Sequence, residues 1–301
     1  MKHFHYMMLA CLAVVLAACD QDQDTLPPQQ SVTDPNVMTF SVTHPADRKA
    51  DTRATSTAFE ADDRIGLYIT ESDGILQASG NYLNNAPLTF DGTAWQTAEP
   101  VYWNSGTYNV YAYYPYTTPI QSVDDMPFRV AADQQSTPAD GTPGGYEASD
   151  LLFASSTGVS ANGQPVELQF RHCMSRLQIR LVKGEDFEGD FPEEAEVYVH
   201  NTVPDATVDL SVGIVTKDSY APTETLRAKP LGNRQYTAIV VPQRISNRQP
   251  LVEVVMKGVS YLYESTFQFK QGIQHNVSLI IDKNPEQVKI EIGGELEDWD
   301  E

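Results

Sequence analysis

The sequence predicts an all-β protein, and three observations carry that reading. Short runs of alternating apolar and polar residues recur along the chain. Almost all are bounded by Gly, Pro, Asn or Asp, and no long segment places apolar residues at three-four spacing. Chains of this kind close into sandwiches or barrels. The first run sets Met38, Phe40 and Val42 to one side and Thr39 and Ser41 to the other, the signature of a half-buried strand. Further strands are predicted at Ile65 to Thr70, Tyr108 to Tyr114, Leu151 to Ser155, Val166 to Phe170, Leu177 to Val182 and Val197 to Val199. They continue at Tyr236 to Val241, Val252 to Met256, Tyr261 to Phe269, Val277 to Asp282 and Val288 to Ile292. Between the second and third of these strands the stretch Thr117 to Asp150, crowded with Pro, Asp, Gln and Gly, reads as a long exposed loop with a short strand near Phe128. The segment VSANGQP near residues 158–165 separates two apolar runs and predicts a boundary between an N-terminal domain, 37–163, and a C-terminal domain, 164–301.

The amino end speaks about compartment. Lys2, His3 and His5 precede the unbroken apolar run Met7 to Ala18, which fits a signal-peptide core and is too short to span a bilayer. Leu16-Ala17-Ala18-Cys19 resembles a bacterial lipobox, so residues 1–18 are expected to leave as a lipoprotein signal and Cys19 to become the acylated amino terminus. Residues 19–36, acidic, Gln-rich and interrupted by prolines, read as a solvated tether. Cys11 leaves with the signal, and with Cys19 lipidated only Cys173 remains. No intramolecular disulfide is then expected, and Cys173, set in an alternating apolar stretch, reads as a buried hydrophobe.

The chain has 301 residues with 20 Lys+Arg against 41 Asp+Glu, a formal charge of −21. That sign sets aside nucleic-acid binding and adhesion to anionic headgroups. No catalytic set stands out. The histidines His44, His172, His200 and His275 lie apart in sequence, without a Ser-containing elbow, an HExxH pair or paired-cysteine spacing, and neither cofactor nor metal is expected. Two aromatic features could stack on sugars, Trp95 with Tyr102 and Trp103, and the run Tyr108 to Tyr116. Tyr113, Tyr116 and Trp103 are the stacking candidates, against the plainer reading that these rings fill a core.

Five blocks taken together carry a resemblance. Thr52-Arg53-Ala54, Phe59 to Tyr68, Val101-Tyr102-Trp103, Tyr111 to Pro115 and Phe170 to Leu177, in that order behind a lipobox, resemble the fimbrillin-like lipoproteins of Bacteroidales. The acids directly after Cys19 resemble the export signals of surface lipoproteins in Bacteroidetes. The resemblance implies two transthyretin-like β-sandwich domains in tandem and a non-enzymatic subunit of a surface fimbria, stalk or tip. It also implies export as an outer-membrane lipoprotein, cutting by an arginine-specific surface protease, and assembly with other fimbrial subunits by strand exchange. A receptor on a host or bacterial surface is a further partner in that reading.

On the residues themselves, removing Met38, Phe40 and Val42 would uncover an apolar trough with unpaired backbone groups, onto which another strand can add. Val288, Ile290 and Ile292 form a candidate donor strand, or equally an ordinary last strand. Residues 43–64 are polar and charged, and cutting is expected after Arg53 with Arg48 as the alternative, whereas Arg64 abuts the next strand. The competing reading is a monomeric surface lipoprotein that binds glycan.

Overall fold

The computed structural model describes residues 34–45, 58–137, 143–283, 289–292 and 297–298. The signal, Cys19, the tether up to residue 33, Arg48, Arg53 and Val288 lie outside the described residues. In chain order the strands are β1 (Phe40–Thr43), β2 (Arg64–Glu71), β3 (Leu83–Phe90), β4 (Trp95–Thr97), β5 (Tyr108–Tyr114) and β6 (Met126–Arg129). The short helix α1 (Gly145–Ser149) precedes β7 (Leu152–Val159), β8 (Val166–Gln169), β9 (Arg171–His172), β10 (Ser175–Lys183), β11 (Glu196–Thr202), β12 (Asp205–Asp209) and β13 (Ile214–Lys217). The chain continues through β14 (Glu224–Arg227), β15 (Lys229–Gly232), β16 (Gln235–Val240), β17 (Gln243–Met256), β18 (Val259–Phe269), β19 (Ile273–Ile281), β20 (Lys289–Ile292) and β21 (Glu297–Asp298). The all-β expectation holds.

Two apolar cores organise residues 35 onward. The first is closed by the sheet β4-β3-β2-β5-β7-β9 and by the pair β1-β8, and holds Ile65, Leu67, Ile69, Leu88, Val110, Leu152, Leu168 and Phe170. The second fills the space between the sheets β15-β16-β10-β19-β20 and β14-β11-β17-β18, with β13-β12-β6 alongside. Strand periodicity explains how they touch. On β2 the odd positions Ile65, Leu67 and Ile69 enter the first core, while Tyr68 enters the second, so six consecutive residues are buried. On β5, Tyr108, Val110, Ala112 and Tyr114 face the first core, and Tyr113 faces the second. Gly66 makes room for this crossing: a Cβ there would lie 2.0 Å from Cε1 of Tyr113.

Sheet membership does not part at residue 163. β8 and β9 lie beyond it yet pair with β1 and β7, while β6 lies before it and pairs with β12. The stretch 117–150 also departs from the exposed loop that its composition predicts. Val123, Met126, Val130, Gln134, Tyr146, Ser149 and Asp150 are buried. The Gln134 side chain donates to the Ile239 carbonyl (2.7 Å) and accepts from the Ile239 N–H (2.8 Å), so an amide side chain completes the edge of β16. Beyond α1, the Asp150 carboxylate lies 2.8 Å from His172 Nδ1, both side chains being buried. A polar residue that satisfies buried backbone is indistinguishable in sequence from one that faces water.

Candidate functional site: the first-strand groove

β1 is a short strand with apolar anchors. Met38 is 3% exposed, and Phe40 and Val42 pack half-buried against the first core, while Thr39 and Ser41 face solvent. The pattern is the one that the alternation predicts. Full burial of Met38 contributes about 1.5–3 kcal/mol, and the two half-buried side chains less each. β1 runs parallel to β8 with Phe40 opposite Val166 and Thr43 opposite Gln169. The Val166 N–H donates to the Thr39 carbonyl (2.8 Å) and the Phe170 N–H to that of Thr43 (3.0 Å). The odd-numbered backbone groups of β1 therefore face β8, and those of Phe40 and Val42 face the other way.

On that other side lies a groove of about 900 Å³ between residues 37–42 and the β4 segment, with Phe59, Phe90 and Trp95 among its lining. Before the groove opens the strand is tied once more, by Met38 N–H to the Val101 carbonyl (2.7 Å) and by Trp103 N–H to that of Asn36 (2.6 Å). Phe59 closes the far end. Its ring meets Trp95 at 5.0 Å, Tyr114 at 5.5 Å and Phe170 at 5.7 Å, and buried His44, just after β1, packs edge-on against it at 4.8 Å.

The carbohydrate-stacking candidates do not converge. Tyr113 is 1% exposed, and its hydroxyl lies within hydrogen-bond distance of Asn85 Oδ1 (2.8 Å) and the Thr117 carbonyl (2.9 Å), so its ring offers no face to a ligand and that assignment is corrected. Trp103 packs half-buried against Tyr108 (5.9 Å), and Tyr116 lies half-buried beneath the Arg64 guanidinium (5.5 Å). Tyr113 and Trp103 thus contribute to different cores.

Among the remaining candidates, Ile290 and Ile292 lie on β20, paired antiparallel with β19 opposite Leu279 and Val277. Arg64 opens β2. Cys173 is fully buried in the second core, as its alternating apolar surroundings predict. The four histidines do not share one centre: His44 and His172 pack edge-on at 6.2 Å, whereas His200 sits between Thr225 and Glu253 on β11 and His275 packs against Phe267 and Phe269. Among the described residues no cluster of His, Cys, Asp or Glu is arranged to hold a metal. His44, which packs on Phe59 at the groove end, carries no sequence signal beyond its place beside the strand.

The fimbrillin-like family model matches residues 52–299. The chain belongs to the fimbrillin-like family. This is a family of fimbrial structural and adhesion proteins, not of enzymes. The chain is 28% identical over 225 residues to a candidate fimbrium tip subunit, Fim1C, of Bacteroides ovatus. That match covers 67% of this chain and 40% of the relative, so the chain spans well under half of that protein's length. Among solved structures, a candidate cell adhesion protein of Bacteroides ovatus aligns with a TM-score of 0.68 at 20% identity, covering 88% of this chain and 98% of that one. One from Bacteroides uniformis aligns at 0.63 and 19% identity, over 80% and 93%. At these identities the likeness is one of fold.

Proposed function

We propose that this chain is a subunit of a cell-surface fimbria, at stalk or tip, exported as an outer-membrane lipoprotein on Cys19 and activated by cutting at Arg53 or Arg48. The observation that carries the reading is β1 itself. Met38 plugs the first core, β1 pairs with β8 while residues 36–38 bond to Val101 and Trp103, and a groove lined in part by Phe59, Phe90 and Trp95 runs along the other edge of β1. Once the chain is cut between β1 and β2, only these non-covalent contacts retain the strand. Phe59 and β2 stay behind as part of the core. An extended strand from another subunit can then take the same register on β8 and fill the Met38, Phe40 and Val42 positions. The segment around Val288, Ile290 and Ile292 is the candidate donor, since β20 sits at the margin of its sheet beside β19 and leaves without opening the sheet's centre.

Tandem sandwiches suit this task. The N-terminal one would receive a strand and the C-terminal one would supply it, so subunits add head to tail. The Bacteroides ovatus relative named as a candidate tip subunit supports the fimbrial context. The test is a blot of surface material from cells expressing the chain. A ladder that resists SDS without boiling, and that collapses to one band when Arg48 and Arg53 are both changed to Ala, supports the reading. A single band in the unaltered strain contradicts it.

A further inference from the structure

A second cleft lies at the open mouth of the C-terminal core, far in sequence from β1, and has no part in strand exchange. Its volume is about 550 Å³, within the range of small-ligand sites. Separate stretches of the chain build it: Gln135 after β6, the acidic lead into β11, Arg227 at the end of β14, the β15–β16 hairpin, and Val255 on β17.

Its polar groups are fixed before any ligand arrives. The hairpin turns on Asn233 and Arg234, with φ of 50° and 60°, and Gly232 pairs with Gln235 across it. Positive φ at both central residues is the tight turn that matches strand twist, and it is a strained conformation for an arginine. Its side chain is pinned on several sides: Nε donates to the Pro192 carbonyl (2.9 Å), Nη2 to that of Phe191 (3.2 Å) and to Glu193, and the guanidinium lies over the Phe191 ring at 5.3 Å. Arg227 is held by Glu196 (2.9 Å) and Asp133 (3.7 Å). Gln135 donates its amide to the Ala228 carbonyl (2.9 Å).

The composition of the cleft selects among ligands. Each arginine already has a carboxylate, and Glu194 adds a further negative charge to a chain of charge −21, so an anion gains little there. What the walls offer is guanidinium and amide donors beside carboxylate and amide acceptors, at fixed positions. Pro230 and Val255 supply apolar surface between them. A hydroxyl both donates and accepts, and a pyranose alternates hydroxyls with C–H faces. We propose that this cleft is a binding site for a neutral saccharide, with Arg227 and Gln235 among the groups that hold it.

The test is saturation-transfer NMR on the intact mature chain. The probes are the methyl glycosides of glucose, galactose, mannose, fucose and N-acetylglucosamine, with sialyllactose and a trilysine peptide as charged controls. At least one neutral glycoside is expected to saturate, with affinity reduced tenfold or more by Arg227→Met and by Gln235→Leu. Gln235 is exposed at the hairpin, so the second variant keeps the fold if loss of the Arg227 ion pairs does not; thermal unfolding verifies this. Absence of binding by every neutral glycoside overturns the proposal. So does binding that survives Gln235→Leu in a folded protein, or a preference for sialyllactose or trilysine over every neutral probe.

Discussion

Tyr68 and His275 show what burial costs single residues in this fold. The Tyr68 hydroxyl is buried without a hydrogen-bond partner among the described residues, and burial pushes its pKa to about 12. An orphaned hydroxyl is a desolvation cost with no return, so Tyr68→Phe is expected to raise stability by about 1 kcal/mol in urea unfolding. A loss of stability would instead reveal a partner for that oxygen. His275 accepts the Lys270 N–H at Nε2 (3.3 Å), and burial with the nearby Lys270 charge depresses its pKa from 6.5 to about 4. The unfolded chain therefore binds a proton that the folded one refuses. The contribution is whole above pH 6.5, is lost as pH falls toward 4, and amounts to up to about 3 kcal/mol. Across that window the unfolding free energy of the protein should fall by this amount relative to that of His275→Gln on acidification. A constant difference would show that His275 titrates normally. Cys173 is the residue that the sequence rendered most plainly, because alternation alone buried it. Tyr113 is the opposite case: an aromatic run advertises sugar stacking and core filling equally, and only the crossing of β5 between two cores decides.

Among the elements, β1 was legible because its period-two pattern stood between a polar tether and a polar linker. Its parallel pairing with β8 was not, since residues 40–43 and 166–169 meet only through tertiary folding. Within residues 117–150 the short strand near Phe128 was legible and is β6, whereas α1 and the burial of the stretch were not. β6 and α1 are short, and their stability comes from β12 and from side chains such as Gln134 rather than from their own pattern. The strand-exchange account makes a local demand on β1. In the uncut chain the Val166 and Phe170 amides are protected from hydrogen exchange by Thr39 and Thr43. Met38→Ser removes the fully buried anchor and is expected to speed exchange at both amides by tenfold or more, while amides of β10 and β19 keep their rates. Equal protection in the variant would mean that Met38 does not hold the strand.

For the whole molecule, the two cores share one central sheet, with Tyr68, Tyr113 and Phe153 reaching from it into the C-terminal core. A composition break at residues 158–165 could not reveal this, because it marks a β7–β8 loop inside the first sandwich rather than the passage between cores. The sharing also gives the processed chain a reason to persist: loss of β1 opens one side of the first core and leaves the second intact. The central claim, that covalent release of β1 precedes assembly, is tested most directly by amino-terminal sequencing with intact-mass analysis of the polymer sheared from cells. The account predicts chains that begin at Ala54, or at Lys49 if Arg48 is cut, with no lipid. Polymer whose subunits still begin at lipidated Cys19 would contradict it.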